Sequence, residues 1–273
     1  MASSSATART SMTPVNSIAC ANTAMLESNI REILYLDPIW SAYALADLAP
    51  QHTAFCQWFH SAEAVVLAYI GLSPPVLFAT GKKEDVLALA TQVPPGKYQY
   101  TLLPEHRFSL EPMLSVQSEL KMWRMSNKVD SPEIDPSPDA HRLSGEDLDS
   151  VITLFADHAD RPDSFHRRQL EAGPFYGAYH EEELVAVAGV HVLSESGSMA
   201  AIGNVFTHPA HRGQGFGRKV SAQLIRGLRS MGIQTIVLNV AKENYAAVHL
   251  YQGLGFQIHC GYYEGLGELG AKP

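Results

Sequence analysis

The stretch from Asn204 to Arg218 constrains the fold of this chain more than any other. It reads Asn-Val-Phe-Thr-His-Pro-Ala-His-Arg-Gly-Gln-Gly-Phe-Gly-Arg. An apolar strand over 198–206 passes through His208-Pro209 into a glycine-rich turn, and the turn opens a helix. Val220, Leu224 and Leu228 make the apolar stripe of that helix, and Gly232 is placed to end it. Such a turn is an anion cradle. Glycines let the backbone approach a phosphate closely, and the first-turn N–H groups and the positive end of the helix dipole point at it. Arg212 and Arg218 add charge-assisted contacts.

Other phosphate motifs do not fit. The chain has no Gly-x-x-x-x-Gly-Lys-Ser/Thr, and the turn Gly81-Lys82-Lys83 lacks the preceding glycine. Gly213, Gly215 and Gly217 alternate instead of following the dinucleotide pattern G-x-G-x-x-G, and the strands upstream read as antiparallel. His208-x-x-His211 has the spacing of metal ligands, but Pro209 lies between them in the phosphate loop, so no metal site is expected.

A second segment completes the pattern: Asn244-x-x-Ala247, then Tyr251, then Gly255-Phe256. Together the two segments closely resemble the GNAT superfamily of N-acetyltransferases, over about 198–261. The resemblance implies an α+β fold with a central mixed, mostly antiparallel sheet, and acetyl-CoA as co-substrate with no metal. It implies that Arg212, Gly213, Gln214, Gly215, Phe216, Gly217 and Arg218 hold the pyrophosphate. It places Val205, Phe206 and Thr207 on the splayed strand that bonds the pantetheine arm. A backbone N–H near Val205 would polarise the thioester carbonyl. Asn244 would contact the cofactor arm, and Tyr251 matches the tyrosine that donates a proton to the departing thiolate. Asn244 also reads as a plain helix N-cap, and the two roles can coexist. Many family members carry a Glu where this chain has Ala201, which leaves the base open. Asn204 could order a water, His191 could accept a proton if it faces the cleft, and Glu243 is a third candidate.

The remaining sequence sets the frame. Helices are expected over 26–34, 40–48, 84–93 and 148–155, with strands over 64–70, 76–79, 121–125, 175–179, 184–193, 235–240 and 256–258. Ser144 and Asp147 fit a capping box, and Leu148, Val151, Ile152, Leu154 and Phe155 read as one helix face. Pro132, Pro136 and Pro138 obstruct regular structure and mark a linker. The expected organisation is a disordered or targeting tail (1–24), a divergent, degenerate GNAT-like α/β half (25–126), the linker (127–137), the GNAT domain (138–267) and a short tail (268–273). Asp157, His158, Asp160 and Asp163 read as a solvated helix end.

The composition is globular, with 273 residues, 46% hydrophobic and 18% charged. A net charge of −8 argues against a nucleic-acid partner, though not against one phosphorylated ligand in a local pocket. Cys20, Cys56 and Cys260 are odd in number and far apart, so neither a disulfide framework nor a zinc site is signalled, and a cytoplasmic location is expected. No apolar run reaches the roughly 18 residues that span a bilayer. The reading is a monomeric or homodimeric N-acetyltransferase acting on a small-molecule or peptide amine. The rivals are a CoA-binding module with little chemistry and a nucleotide-dependent enzyme.

Overall fold

Helical spacing of Ile30, Ile33 and Leu34 buries one side of α1 (27–34), and α2 (Ala42–Asp47) follows. The coordinates, a computed structural model, describe residues 27–131, 139–156, 158, 165, 167–194 and 198–270. The expected N-terminal tail and much of the proline-rich linker lie outside them. β1 (Cys56–His60), β2 (Ala64–Tyr69) and β3 (Val76–Gly81) form an antiparallel meander. α3 (Lys83–Ala90) then crosses to β4 (Gly96–Leu102), which runs parallel to β3. α4 (Pro104–Ser109) leads into the long β5 (Leu114–Lys128).

The second half repeats this connectivity. After β6 (Ala140–Arg142), α5 (Leu148–Phe155) and α6 (Arg167–Ala172), the strands β7 (Tyr176–His180), β8 (Glu183–Ser194) and β9 (Met199–Thr207) form another antiparallel meander. α7 (Phe216–Ser230) crosses to β10 (Thr235–Ala241), parallel to β9, and α8 (Tyr245–Gln252) leads into the long β11 (Gln257–Leu269). Among the described residues all strands join one sheet in the order β1-β2-β3-β4-β11-β5-β10-β9-β8-β7-β6. Only β3/β4 and β9/β10 are parallel pairs, so the fold is α+β with a mixed, mostly antiparallel sheet. The halves interleave at the centre. β5 lies between β11 and β10, and β11 lies between β4 and β5.

The amphipathic pattern of each strand assigns the helices to faces. Ala200, Ile202, Leu238 and Val240 pack with Val220, Leu224 and Leu228 of α7 and with Tyr251 of α8. The opposite face carries Ala201 and Val237 against Ile39 and Ala42, and Met122 against Ile30 and Trp40. α5 buries Val151, Leu154 and Phe155, but Ile152, expected on the same face, is 51% exposed. At about 100° per residue, Leu154, Val151 and Phe155 fall within an arc of about 100°, and Ile152 lies about 60° beyond Phe155, outside that stripe. The capping box at Ser144 and Asp147 is present, closing a 3₁₀ turn just before α5.

Candidate active site

The glycine-rich turn is built for close approach. Gly213 and Gly215 have φ of 75° and 85°, in the left-handed region, and open space lies where a Cβ would be. Gly215 is the N-cap of α7, and no side-chain hydrogen bond caps that end. The first-turn N–H groups of Phe216, Gly217 and Arg218 therefore lie beyond the reach of the helix's own carbonyls. At Gly217 a Cβ would sit 3.1 Å from Thr207 Oγ1 and 3.4 Å from Leu250, so glycine lets α7 lie close on β9. Arg212 donates through Nε to the Thr207 carbonyl at 3.1 Å, and its guanidinium lies 5.7 Å from the Phe206 ring centroid. Arg218 donates to the Gly253 carbonyl at 2.8 Å and ties the start of α7 to the end of α8. Gln214 donates to Ala210 O at 3.3 Å. His208 accepts from Ala210 N–H at 3.2 Å, which makes it a local cap. Among the described residues no group of three or more His, Cys, Asp or Glu is placed to hold a metal ion.

Next to this turn the sheet opens. β9 and β10 pair only through Met199–Ala201 and Thr235–Val237, then part. Two bulges in the β8–β9 ladder accompany the parting. On β9, Asn204 and Val205 have no ladder partner, between the pairs at Gly203 and Phe206. On β8, His191 is the extra residue between Val190 and Val192. Asn204 takes φ of 50°, is 4% exposed, and neither amide atom has a hydrogen-bond partner. Such orphaned amides and left-handed non-glycine residues cluster at functional sites. The His191 ring lies over Gly203, where a Cβ would come within 2.3 Å of it. His191 is exposed on the cleft side, and the desolvation it does feel lowers its pKa, the neighbouring Asn204 side chain partly opposing, which favours the neutral imidazole.

The parted strands line a cleft of about 1820 Å³. Its walls bring together Asn204, Val205, Asn244 and Tyr251 from the expected set. Tyr251 packs edge-on against Phe256 at 5.8 Å, and burial pushes its phenol well above the ordinary value. Asn244 accepts from Ala247 N–H at 3.2 Å and is therefore the N-cap of α8 while facing the cleft. The far wall comes from residues that no motif marks: Tyr43 and Asp47 of α2, Arg124 of β5, Asn239 of β10 and Glu264 of β11.

Burial raises the Asp47 carboxyl to about 7. Its folded pKa lies above the unfolded value, so the folded chain keeps a proton that the unfolded chain has lost. The associated stability is present below about pH 4 and is lost as the pH rises through about 7, a fall on the order of 4 kcal/mol. Asp47→Asn should flatten this trend. Urea midpoints of both proteins at pH 5 and pH 8.5 check it, and parallel trends would refute it.

Other candidates fall elsewhere. Ala201 is 1% exposed and packs with Ile39 and Ala42, so no polar group occupies that position. Glu243 is exposed and stands outside the cleft lining. The Phe206 side chain is buried against Phe155, which leaves only its backbone for a ligand. Burial raises the Cys56 and Cys260 thiols to about 12 and about 11, so neither is a thiolate at neutral pH. Of the polar cluster after α5, only His158 is described, stacked near Phe206 and His208.

Known proteins resemble parts of this chain. Residues 145–256 match the family model for the acetyltransferase (GNAT) family. The chain is 32% identical over 159 residues to mycothiol acetyltransferase of Thermobispora bispora, covering 50% of this chain and 53% of that protein. It is 40% identical over 55 residues to L-amino acid N-acyltransferase MnaT of Escherichia coli, covering 20% of this chain and 32% of that one. It thus spans about half of the first relative and a third of the second. A crystal structure of a GNAT-family acetyltransferase from Novosphingobium aromaticivorans shares the fold, with a TM-score of 0.58 at 20% identity over 85% of this chain and 96% of that chain. Residues 145–256 thus match a GNAT-family domain, and members of that family use acetyl-CoA. Among the described residues no helix is long and apolar enough to cross a membrane.

Proposed function

We propose that this protein is an acetyl-CoA-dependent N-acyltransferase that acetylates a primary amine by direct attack in a ternary complex. One observation carries the reading: the parted strands β9 and β10 open into one cleft that Tyr251 and His191 also line, and β9 leads on through the glycine-rich turn into the uncapped N-terminus of α7. The residues present fit the co-substrate. Gly213 and Gly215 leave room for a pyrophosphate, and the orphaned Asn204 marks a place where a polar partner is missing. Bound acetyl-CoA supplies the activated acyl group as a thioester.

The chain's own groups then divide the work. The α7 N-terminus with Arg212 and Arg218 holds the pyrophosphate. Val205, outside the ladder, presents backbone to the pantetheine arm and polarises the carbonyl. The amine attacks only when neutral, and an alkyl ammonium has a pKa of about 10, so its proton must be removed. Neutral His191, with Asn204 beside it, accepts that proton directly or through a water that Asn204 orders. The N–C bond forms, the C–S bond breaks, and Tyr251 donates its proton toward the sulfur.

Acetyl-CoA is expected to raise the melting midpoint of the full chain, whereas ATP and NAD are not. Stabilisation by ATP or NAD without acetyl-CoA would refute the reading. The apolar Ala201 favours a second reading, a CoA-binding module with little turnover. Release of free thiol with an amine present separates the two.

A further inference from the structure

The middle of β5 carries a buried cation whose hydrogen-bonding capacity the fold leaves unfilled. Arg124 is 1% exposed. Its guanidinium carbon lies 5.4, 4.9 and 5.6 Å from the ring centroids of Trp40, Tyr43 and Tyr262. These π-clouds support the cation, but they accept nothing in its plane. Nε and Nη1 have no hydrogen-bond partner. Directly across the β5–β10 ladder stands Asn239, whose Oδ1 is also buried without a partner. Both residues line the cleft, together with Asp47 and Glu264. The Tyr262 hydroxyl donates to Glu264 at 3.1 Å and holds that carboxylate beside the cage. Arg31, the other guanidinium in the lining, sits at the exposed rim.

A structural interior could replace such an arginine with an aliphatic residue at little loss, because an unpaired buried charge is costly. Its planar fork matches a carboxylate, which takes two in-plane N–H bonds at once. Glu264, and Asp47 once it has lost its proton above about pH 7, complement an ammonium. We infer that Arg124 anchors the carboxylate of the acceptor, so that the acceptor is a free amino acid entering as a zwitterion. The inference rests on the acyltransferase reading above and leaves its bond changes as written. Arg124 is a binding and specificity residue, and the proton transfers stay with His191 and Tyr251.

Thiol release by the full chain is to be followed with the proteinogenic L-amino acids and with their primary carboxamides, which keep the amine and lose the charge. For the best acid, kcat/KM is expected to exceed that of its carboxamide about 100-fold, the worth of one charge-assisted pair. Arg124→Gln should collapse that ratio and Arg124→Lys should restore part of it, with the acetyl-CoA melting shift retained in both. Carboxamides turned over as well as the acids, or no acid turned over at all, would overturn the inference. So would a ratio that survives Arg124→Gln. If the variants do not fold, the wild-type ratio decides alone. A persisting acetyl-CoA shift with no acid preference defeats this inference only. Loss of that shift in the wild type defeats the acyltransferase reading with it.

Discussion

Tyr251→Phe is expected to lower kcat about 100-fold, with little change in the acetyl-CoA melting shift. The ring is 7% exposed and stays packed against Phe256, so removing one oxygen leaves the core intact. Burial raises the phenol's pKa, and the proton is therefore present at neutral pH. The same shift makes full proton release harder. The hydroxyl is expected to act first as a donor that stabilises charge growing on sulfur, with transfer completed as the C–S bond breaks. Pre-steady-state thiol release with a saturating amine measures this step. An unchanged rate would reduce Tyr251 to packing and favour the binding-module reading.

Gly189→Ala should be the most damaging small substitution in the C-terminal half. A Cβ there would lie 2.0, 2.2 and 2.3 Å from three carbons of the Phe175 ring. That ring is fully buried among Val151, Leu154 and Phe206, with Phe165 a further 5.9 Å away, so it has no free direction in which to move. Overpacking of this severity costs about 3 kcal/mol. In a chain of this size the melting midpoint should fall by roughly 8 °C. Gly189 also pairs with Gly203, beside the bulge that sets Asn204. A midpoint within about 1 °C of wild type would show that the β8 backbone yields easily.

Legibility in the sequence followed the range of the interactions. The turn at 212–218, the Ser144–Asp147 capping box and the Asn244 cap were all readable, because each is closed by bonds within about four residues. β1 and β4 went unassigned, although Tyr98, Tyr100 and Leu102 alternate inward on β4. Lys97 and Gln99 are the outward half of that alternation, and prolines at Pro94, Pro95 and Pro104 bound it on both sides. β11 was read as three residues and has thirteen. Its glycines look like breakers, yet a Cβ at Gly265 would lie 2.4 Å from the Ser118 carbonyl oxygen and 2.5 Å from the Tyr100 hydroxyl. Glycine is needed there for a close approach that no local pattern announces.

By itself, then, the sequence determined the glycine-rich turn, the α7 stripe, the class of fold and the likeness of 145–256 to the GNAT family. Those depend on backbone dihedrals, turn chemistry and periodicity, which neighbours along the chain decide. Tertiary structure alone decided that β5 and β11 exchange places between the halves, and that Asn239 faces Arg124 across a ladder. It also decided that Asp47, Arg124 and Glu264 share one wall of the cleft. Each of these residues is unremarkable among its own neighbours. Its burial, its missing partners and its shifted acidity come from groups delivered by distant strands, and only the packed sheet brings them within range.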